Sequence, residues 1–155
     1  MNKEELDKQI ERFDTALHYN LKKISSKVSH QLEQGITIDQ FFLLRMINQS
    51  GRITSSQLAN ELGVRPSAIT VMIDRLIKNE FVTRVRDEED RRVVFIALTE
   101  NGQRVLKQSE EKRLVLIKKY MSKLEQAELK QFVLTFEKIA RIIANYEEEK
   151  NLEIT

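Results

Sequence analysis

The stretch SSQLANELGVRPSAITVMIDRLIK, from Ser55 to Lys78, decides the fold. Thr54 just before it and Gln57 stand three residues apart, the spacing of a capping box that opens a helix. Leu58, Ala59 and Leu62 put apolar groups on one face of that short helix. Gly63 then stops it, supplying backbone angles that a residue with a Cβ adopts only at a cost. The chain restarts at Pro66, whose missing N–H costs nothing in a first helical turn. The second helix turns Ile69, Met72, Ile73 and Leu76 inward. Two helices crossing about so short a turn make a helix-turn-helix. Ala59 is small where the crossing needs a small residue, and Val64, Ile69 and Met72 are expected to plug it.

The second helix has a face the core does not use: Ser67, Ala68, Thr70, Val71, Asp74, Arg75 and Lys78. Its chemistry suits a DNA major groove. Ser67 and Thr70 are short hydroxyls near a helix N-terminus, where they and the backbone N–H groups can meet phosphates or base edges. Val71 offers methyl contact to thymine. Arg65 before the helix and Arg75 along it can each reach a phosphate or a guanine. Ser55 and Ser56 either touch the DNA backbone or help to cap the first helix of the pair.

Working outward, the period changes at Phe81. FVTRVR (81–86) and VVFIAL (93–98) read as paired strands, with the charged run Asp87 to Arg92 as the exposed hairpin tip. Strands this short must pack on the preceding helices. Arg84 is expected to pair with a nearby acid or a phosphate rather than read a base. Upstream, Thr37 and Gln40 form another capping box for a helix carrying Phe41, Leu44 and Ile47 inward, closed by Gly51, and Arg52-Ile53 reads as an extended link. The first helix carries Leu6, Ile10, Phe13, Leu17, Leu21, Ile24, Val28 and Leu32 at steps of three or four, and Gly35 is expected to end it. Thr99 caps a long helix to about Met121. A last helix, from about Glu125 to Glu149, is apolar around too much of its surface for one partner. The first and last helices are expected to form a dimer interface.

Bulk composition limits the alternatives. The 155 residues carry a net charge of +2, so overall charge announces no nucleic-acid partner. Residues 51–99 hold eight basic against seven acidic side chains, and a DNA argument must rest on their placement. No cysteine is present, which excludes disulfides, thiolate metal sites, a cysteine nucleophile and thiol-based peroxide sensing. His18 and His30 lie twelve residues apart, outside the separation that lets two histidines on one helix share a metal, and no metal or cofactor is expected. No nucleophile elbow, zinc-protease helix or phosphate loop appears, so no enzyme is expected. The first residues lack an apolar signal core and no apolar run can span a bilayer, which makes a cytoplasmic protein with no membrane partner the expectation. A winged module that docks proteins without reading sequence is the alternative to a DNA reader.

The chain resembles the MarR family of bacterial transcriptional regulators. The resemblance is carried by the helix-turn-helix, by Asp74-Arg75-Leu76-Ile77, by Phe81-Val-Thr-Arg84, and above all by DRRVVFIALT (90–99) followed by Gly102. The last matches the family's wing, D-x-R and a strand ending in L-T-x-x-G. The resemblance implies a mainly α fold with a small β-hairpin wing (α+β). It implies one winged helix-turn-helix over 37–99, with the helix-turn-helix at 55–78 and the wing at 81–98, flanked by dimerisation helices over 1–35 and 100–155. It further implies a homodimer, most often a repressor, on a pseudopalindromic duplex. There the recognition helices enter successive major grooves and Arg92, oriented by Asp90 and beside Arg91, enters a minor groove. The family often has a Pro and a basic residue where this tip has Asp87, Glu88 and Glu89, a departure that weakens phosphate attraction. Control by a small-molecule effector is also implied, with Phe13, Leu17, His18, Phe41 and Met46 as candidate pocket residues.

Overall fold

The computed structural model describes residues 2–30, 32 and 36–152. The chain divides into two compact units, Met1–Leu114 and Val115–Thr155. In the first unit, α1 (Lys3–Ser29) opens on Asn2, whose side chain accepts the Glu5 N–H at 2.8 Å. The helix reaches the core through Val28, whereas Leu6, Ile10, Phe13 and Leu21 of the same stripe are exposed. It stops at Ser29, short of the expected end. Leu32 still donates its N–H to the Val28 carbonyl at 3.1 Å and packs on the core, so apolar periodicity outlasts the helix. Gly35, the expected stop, lies outside the described residues.

The next elements follow their caps. α2 (Ile38–Ser50) starts on the Thr37–Gln40 box, in which Thr37 N–H donates to Gln40 Oε1 at 2.9 Å and Gln40 N–H to Thr37 Oγ1 at 3.3 Å. Phe41, Leu43, Leu44 and Ile47 are buried in the core. Beyond Gly51, the expected link is a strand, β1 (Ile53–Thr54). It is too short to show the alternation that reveals a strand. α3 (Ser55–Leu62) and α4 (Pro66–Lys78) then cross. β2 (Val82–Arg86) and β3 (Val94–Leu98) complete an antiparallel sheet in the order β1-β3-β2, with Ile53 opposite Ile96 and Arg84 also opposite Ile96 on the other side. This is a winged helix. One core joins α2, α3, α4, the sheet and the start of α5 (Glu100–Met121), through Leu44, Leu58, Ile73, Ile96 and Leu106.

The second unit contains the end of α5 and α6 (Gln126–Leu152). Every side chain of α6 described from Lys130 onward is exposed, including Phe132, Phe136, Ile139, Ile142 and Ile143. An exposed apolar surface of this extent marks an interaction site.

A tight corner ties α5 to the sheet. Glu80 adopts a positive φ of 57°, which swings Phe81 into β2's line. The Thr99 N–H donates to Phe81 O at 3.1 Å, its hydroxyl to Glu80 O at 2.6 Å, and the same hydroxyl accepts Gly102 N–H at 3.0 Å. A Cβ on Gly102 would lie 1.9 Å from Phe81 O. In an unconstrained helix Gly→Ala stabilises by about 0.5–1 kcal/mol. Here the sign reverses: Gly102→Ala is expected to cost about 1–3 kcal/mol through overpacking. Urea denaturation measures it, and a stabilised variant would show that the corner gives way freely.

Candidate nucleic-acid interface

The geometry of α3 and α4 begins at their ends. Thr54 supplies the cap of α3, with Gln57 N–H donating to its hydroxyl at 3.2 Å and Thr54 N–H donating to Gln57 Oε1 at 2.9 Å. Capping is therefore Thr54's task. Ser55, half-buried, and Ser56, exposed, stand in the first turn of α3. Gly63 takes the left-handed conformation at φ 61°, and the N–H groups of Gly63 and Val64 donate to Asn60 O and Ala59 O at 3.1 and 3.0 Å. That pair of bonds is the Schellman closure of a helix end. Ala59 is buried at the crossing as expected, but Val64 is not a plug: it is 42% exposed. The left-handed reversal at Gly63 spends Val64's backbone on the closure and leaves its side chain outside.

α4 is divided cleanly. Ile69, Ile73 and Leu76 are fully buried. Ser67, Ala68, Thr70, Val71, Asp74, Arg75 and Lys78 are exposed, as is Arg65 just ahead of the helix. The Thr70 hydroxyl donates back to Pro66 O at 3.0 Å, so in this conformation it offers its lone pairs and methyl outward. Arg84 on β2 takes the acid: its Nη2 donates to Asp74 Oδ1 at 2.8 Å. With both groups about half exposed, the pair contributes roughly 0–1 kcal/mol. Its larger consequence is positional, since it ties the wing to the exposed face of α4 and offsets the one acid there.

The wing tip is a hydrogen-bonded turn. Asp87 N–H donates to Val93 O at 3.0 Å and Val93 N–H to Asp90 O at 2.9 Å. Asp87 Oδ1 accepts the N–H groups of Glu89 and Asp90 at 3.0 and 2.9 Å. Asp90 Oδ1 accepts both Arg92 N–H and Arg92 Nε–H, at 3.0 and 3.1 Å, and its Oδ2 accepts Nη2–H at 3.2 Å. The Arg92 side chain is nonetheless 91% exposed. The acid thus orients the arginine without hiding it. Arg91 is exposed beside it. The acidic run is less uniform than its sequence suggests. Asp87 turns inward, 21% exposed, with Oδ2 3.8 Å from Arg52 Nη1, which leaves Glu88 and Glu89 facing solvent. Arg52, overlooked in the sequence, also lies 5.9 Å from the Phe95 ring.

The five candidate pocket residues are not gathered around one opening. Phe41 is sealed in the core and Met46 packs against it, Leu17 is half-buried, and Phe13 and His18 are exposed on α1. An open groove of about 600 Å³ along α1 is lined instead by Glu11, Arg12, Thr15, Ala16, Tyr19 and Asn20. Phe41, a pocket candidate through the family resemblance, is the inward-facing core residue that the period of α2 also predicts.

Comparison with known proteins agrees with this architecture. The family model described as "MarR family" matches residues 36–94. The uncharacterized HTH-type transcriptional regulator YpoP of Bacillus subtilis is 31% identical over 126 residues, spanning 81% of this chain and 89% of that protein. The HTH-type transcriptional repressor MdtR of Bacillus subtilis is 29% identical over 147 residues, 94% of each chain. Among solved structures, a MarR family protein from Bacillus stearothermophilus superposes with a TM-score of 0.80 at 28% identity, covering 93% of this chain and 99% of its own. A mutant MarR from E. coli, complexed with operator DNA, superposes at 0.70 with 26% identity over 84% of this chain and 95% of its own.

The Asp90 carboxyl is held below the usual aspartate range, chiefly by the Arg92 side-chain hydrogen bonds and then by the Arg92 backbone N–H. A carboxyl that binds its proton more weakly when folded stabilises the wing above its unfolded pKa, and that contribution disappears as the pH falls through the lowered value. NMR titration of the Asp90 carboxyl carbon should show this low midpoint, rising in Arg92→Gln. A midpoint indifferent to that substitution would remove Arg92 as the cause.

Proposed function

The chain belongs to the MarR family of transcriptional regulators, and from that premise we propose that it is a repressor acting as a homodimer on a pseudopalindromic DNA duplex. The observation that carries this reading is the divided helix α4, whose inner row is fully buried and whose outer row is exposed beside an acid-oriented Arg92. A helix of this kind fits a major groove, where base edges present distinct donors and acceptors. Ser67, Ala68, Thr70, Val71 and Arg75 meet bases or nearby phosphates. Arg65, Ser55, Ser56 and Arg91 meet the backbone, and Arg92 enters the adjacent minor groove, where a narrow A·T-rich segment concentrates negative potential. Arg84 serves this interface through Asp74. The E. coli MarR–operator complex and the repressor MdtR lend support by kinship.

Dimerisation is supported by the apolar faces of α1 and α6, exposed in a single chain and in need of cover. A second copy supplies that cover and doubles the phosphate contacts. Small-molecule control would then act as population shift: an effector that favours an unsuitable spacing of the two α4 helices lowers DNA affinity, and DNA lowers effector affinity by the same factor.

Selection from a random duplex pool at several salt concentrations tests the reading. The expected result is an enriched palindrome whose affinity falls steeply with salt. Uniform weak binding with no motif would favour a docking module instead. Arg92→Ala should weaken the enriched duplex by about 1–3 kcal/mol with thermal unfolding unchanged. Phe136→Glu combined with Ile143→Glu should convert a dimer to a monomer in sedimentation velocity and lose the palindromic preference. A dimer persisting through both charges would place the interface elsewhere.

A further inference from the structure

We propose that Asp87 is the positioning residue of the wing, folding the tip so that Asp90 can hold Arg92 outward. The inference rests on the reading that Arg92 enters a minor groove, and it assigns the acidic tip a task that its charge alone would argue against. Two consecutive links join Asp87 to Arg92. The Asp87 carboxylate accepts the N–H groups of Glu89 and Asp90 at 3.0 and 2.9 Å. Those bonds fix the backbone at Asp90, whose own carboxylate then accepts one backbone and two side-chain N–H groups of Arg92 between 3.0 and 3.2 Å. An arginine 91% exposed gains its orientation from nothing else among the described contacts.

Two features of Asp87 can be separated. Its ion pair with Arg52 is long, at 3.8 Å, and Arg52 is 71% exposed, so the charge contributes little. Its acceptor oxygen closes the turn, and an asparagine side chain has the same oxygen in the same place. Removing the acceptor leaves the tip only the backbone bonds of Asp87 N–H to Val93 O and Val93 N–H to Asp90 O, and Arg92 must then be ordered at the moment of binding.

The experiment uses the full chain and the duplex that the wild type enriches from a random pool. Asp87→Ala should speed amide hydrogen exchange at Glu89 and Asp90 in the free protein and weaken DNA binding about three- to tenfold, the cost of ordering one long side chain. Asp87→Asn should retain slow exchange and near wild-type affinity. In an Arg92→Ala background, Asp87→Ala should cost nothing further. Tighter binding by Asp87→Ala would mean that charge dominates, and an equal loss with or without Arg92 would mean that Asp87 acts elsewhere; either overturns the proposal. So would unchanged exchange at Glu89 and Asp90. If Arg92→Ala alone binds normally, it is the minor-groove reading that falls, while the exchange measurement still decides whether Asp87 folds the tip.

Discussion

The carbonyl oxygen of Phe81 stands where four elements meet, and the approach of α5 to the sheet is set against it. It accepts the Thr99 N–H at the end of β3, and Gly102 of α5 lies so near it that a Cβ would fall at 1.9 Å. Glu80, with its positive φ, brings the chain to that point directly from α4. The Thr99 hydroxyl bonds backward to Glu80 O and forward to Gly102 N–H. Through one small corner the reading helix, both strands of the wing and the long α5 share a reference point. Close packing transmits displacement, because a packed interior has no slack to absorb it. A shift of α5 at its first turn is therefore a shift of the wing as well.

Charge on the exposed face follows a different logic from net charge. The segment is nearly neutral in count, yet its acids are not scattered repulsions. Asp74 pairs with Arg84, Asp90 with Arg92, and Asp87 with Arg52. In each pair the arginine is at least half exposed, and the pairs contribute little to stability. What each contributes is direction, since a guanidinium held by a carboxylate samples fewer orientations before it meets a phosphate or a groove. Among the described residues, Arg65, Arg75, Lys78 and Arg91 form no ion pair, which leaves their charge for a polyanion. On the proposed reading, such an interface separates affinity, carried by the unpaired cations, from aim, carried by the paired ones.

Much of the fold was legible in the sequence because its boundaries are made by local chemistry. Thr37–Gln40, Thr54–Gln57, Gly63 and Thr99 each satisfy backbone groups within a few residues of themselves, Pro66 removes an N–H that a first helical turn would leave unpaired, and all act in the structure as their spacing foretells. The misses required information that is not local. Val64 looks like core by its side chain, but the closure at Gly63 turns it outward. β1 is a strand only because β3 lies beside it. α1 ends before its apolar period does, since Leu32 packs on the core from beyond the helix. Of the candidate interface, the exposed row of α4 was readable from helical period. The choice of Asp74 by Arg84 depends on how β2 lies beside α4, and Phe41, offered to a pocket by the family resemblance, is held in the core.

The reader's internal contacts also constrain how a regulator of this kind can be switched. Its helices share one core with fully buried Leu44, Leu58, Ile69, Ile73 and Ile96, and bending α4 within that core would open cavities. Emptying a single large side chain's volume costs about 2–5 kcal/mol, comparable to the whole coupling free energy that allostery commonly uses. The apolar residues exposed on α1 and on α6 carry no such penalty, because they fill no packed interior among the described residues. α5 begins at the Phe81 corner and ends in the second unit, so it is the element that belongs both to the stiff reader and to the unit that holds α6. On the proposed dimer, control therefore works most cheaply by re-spacing two rigid readers rather than by reshaping either one.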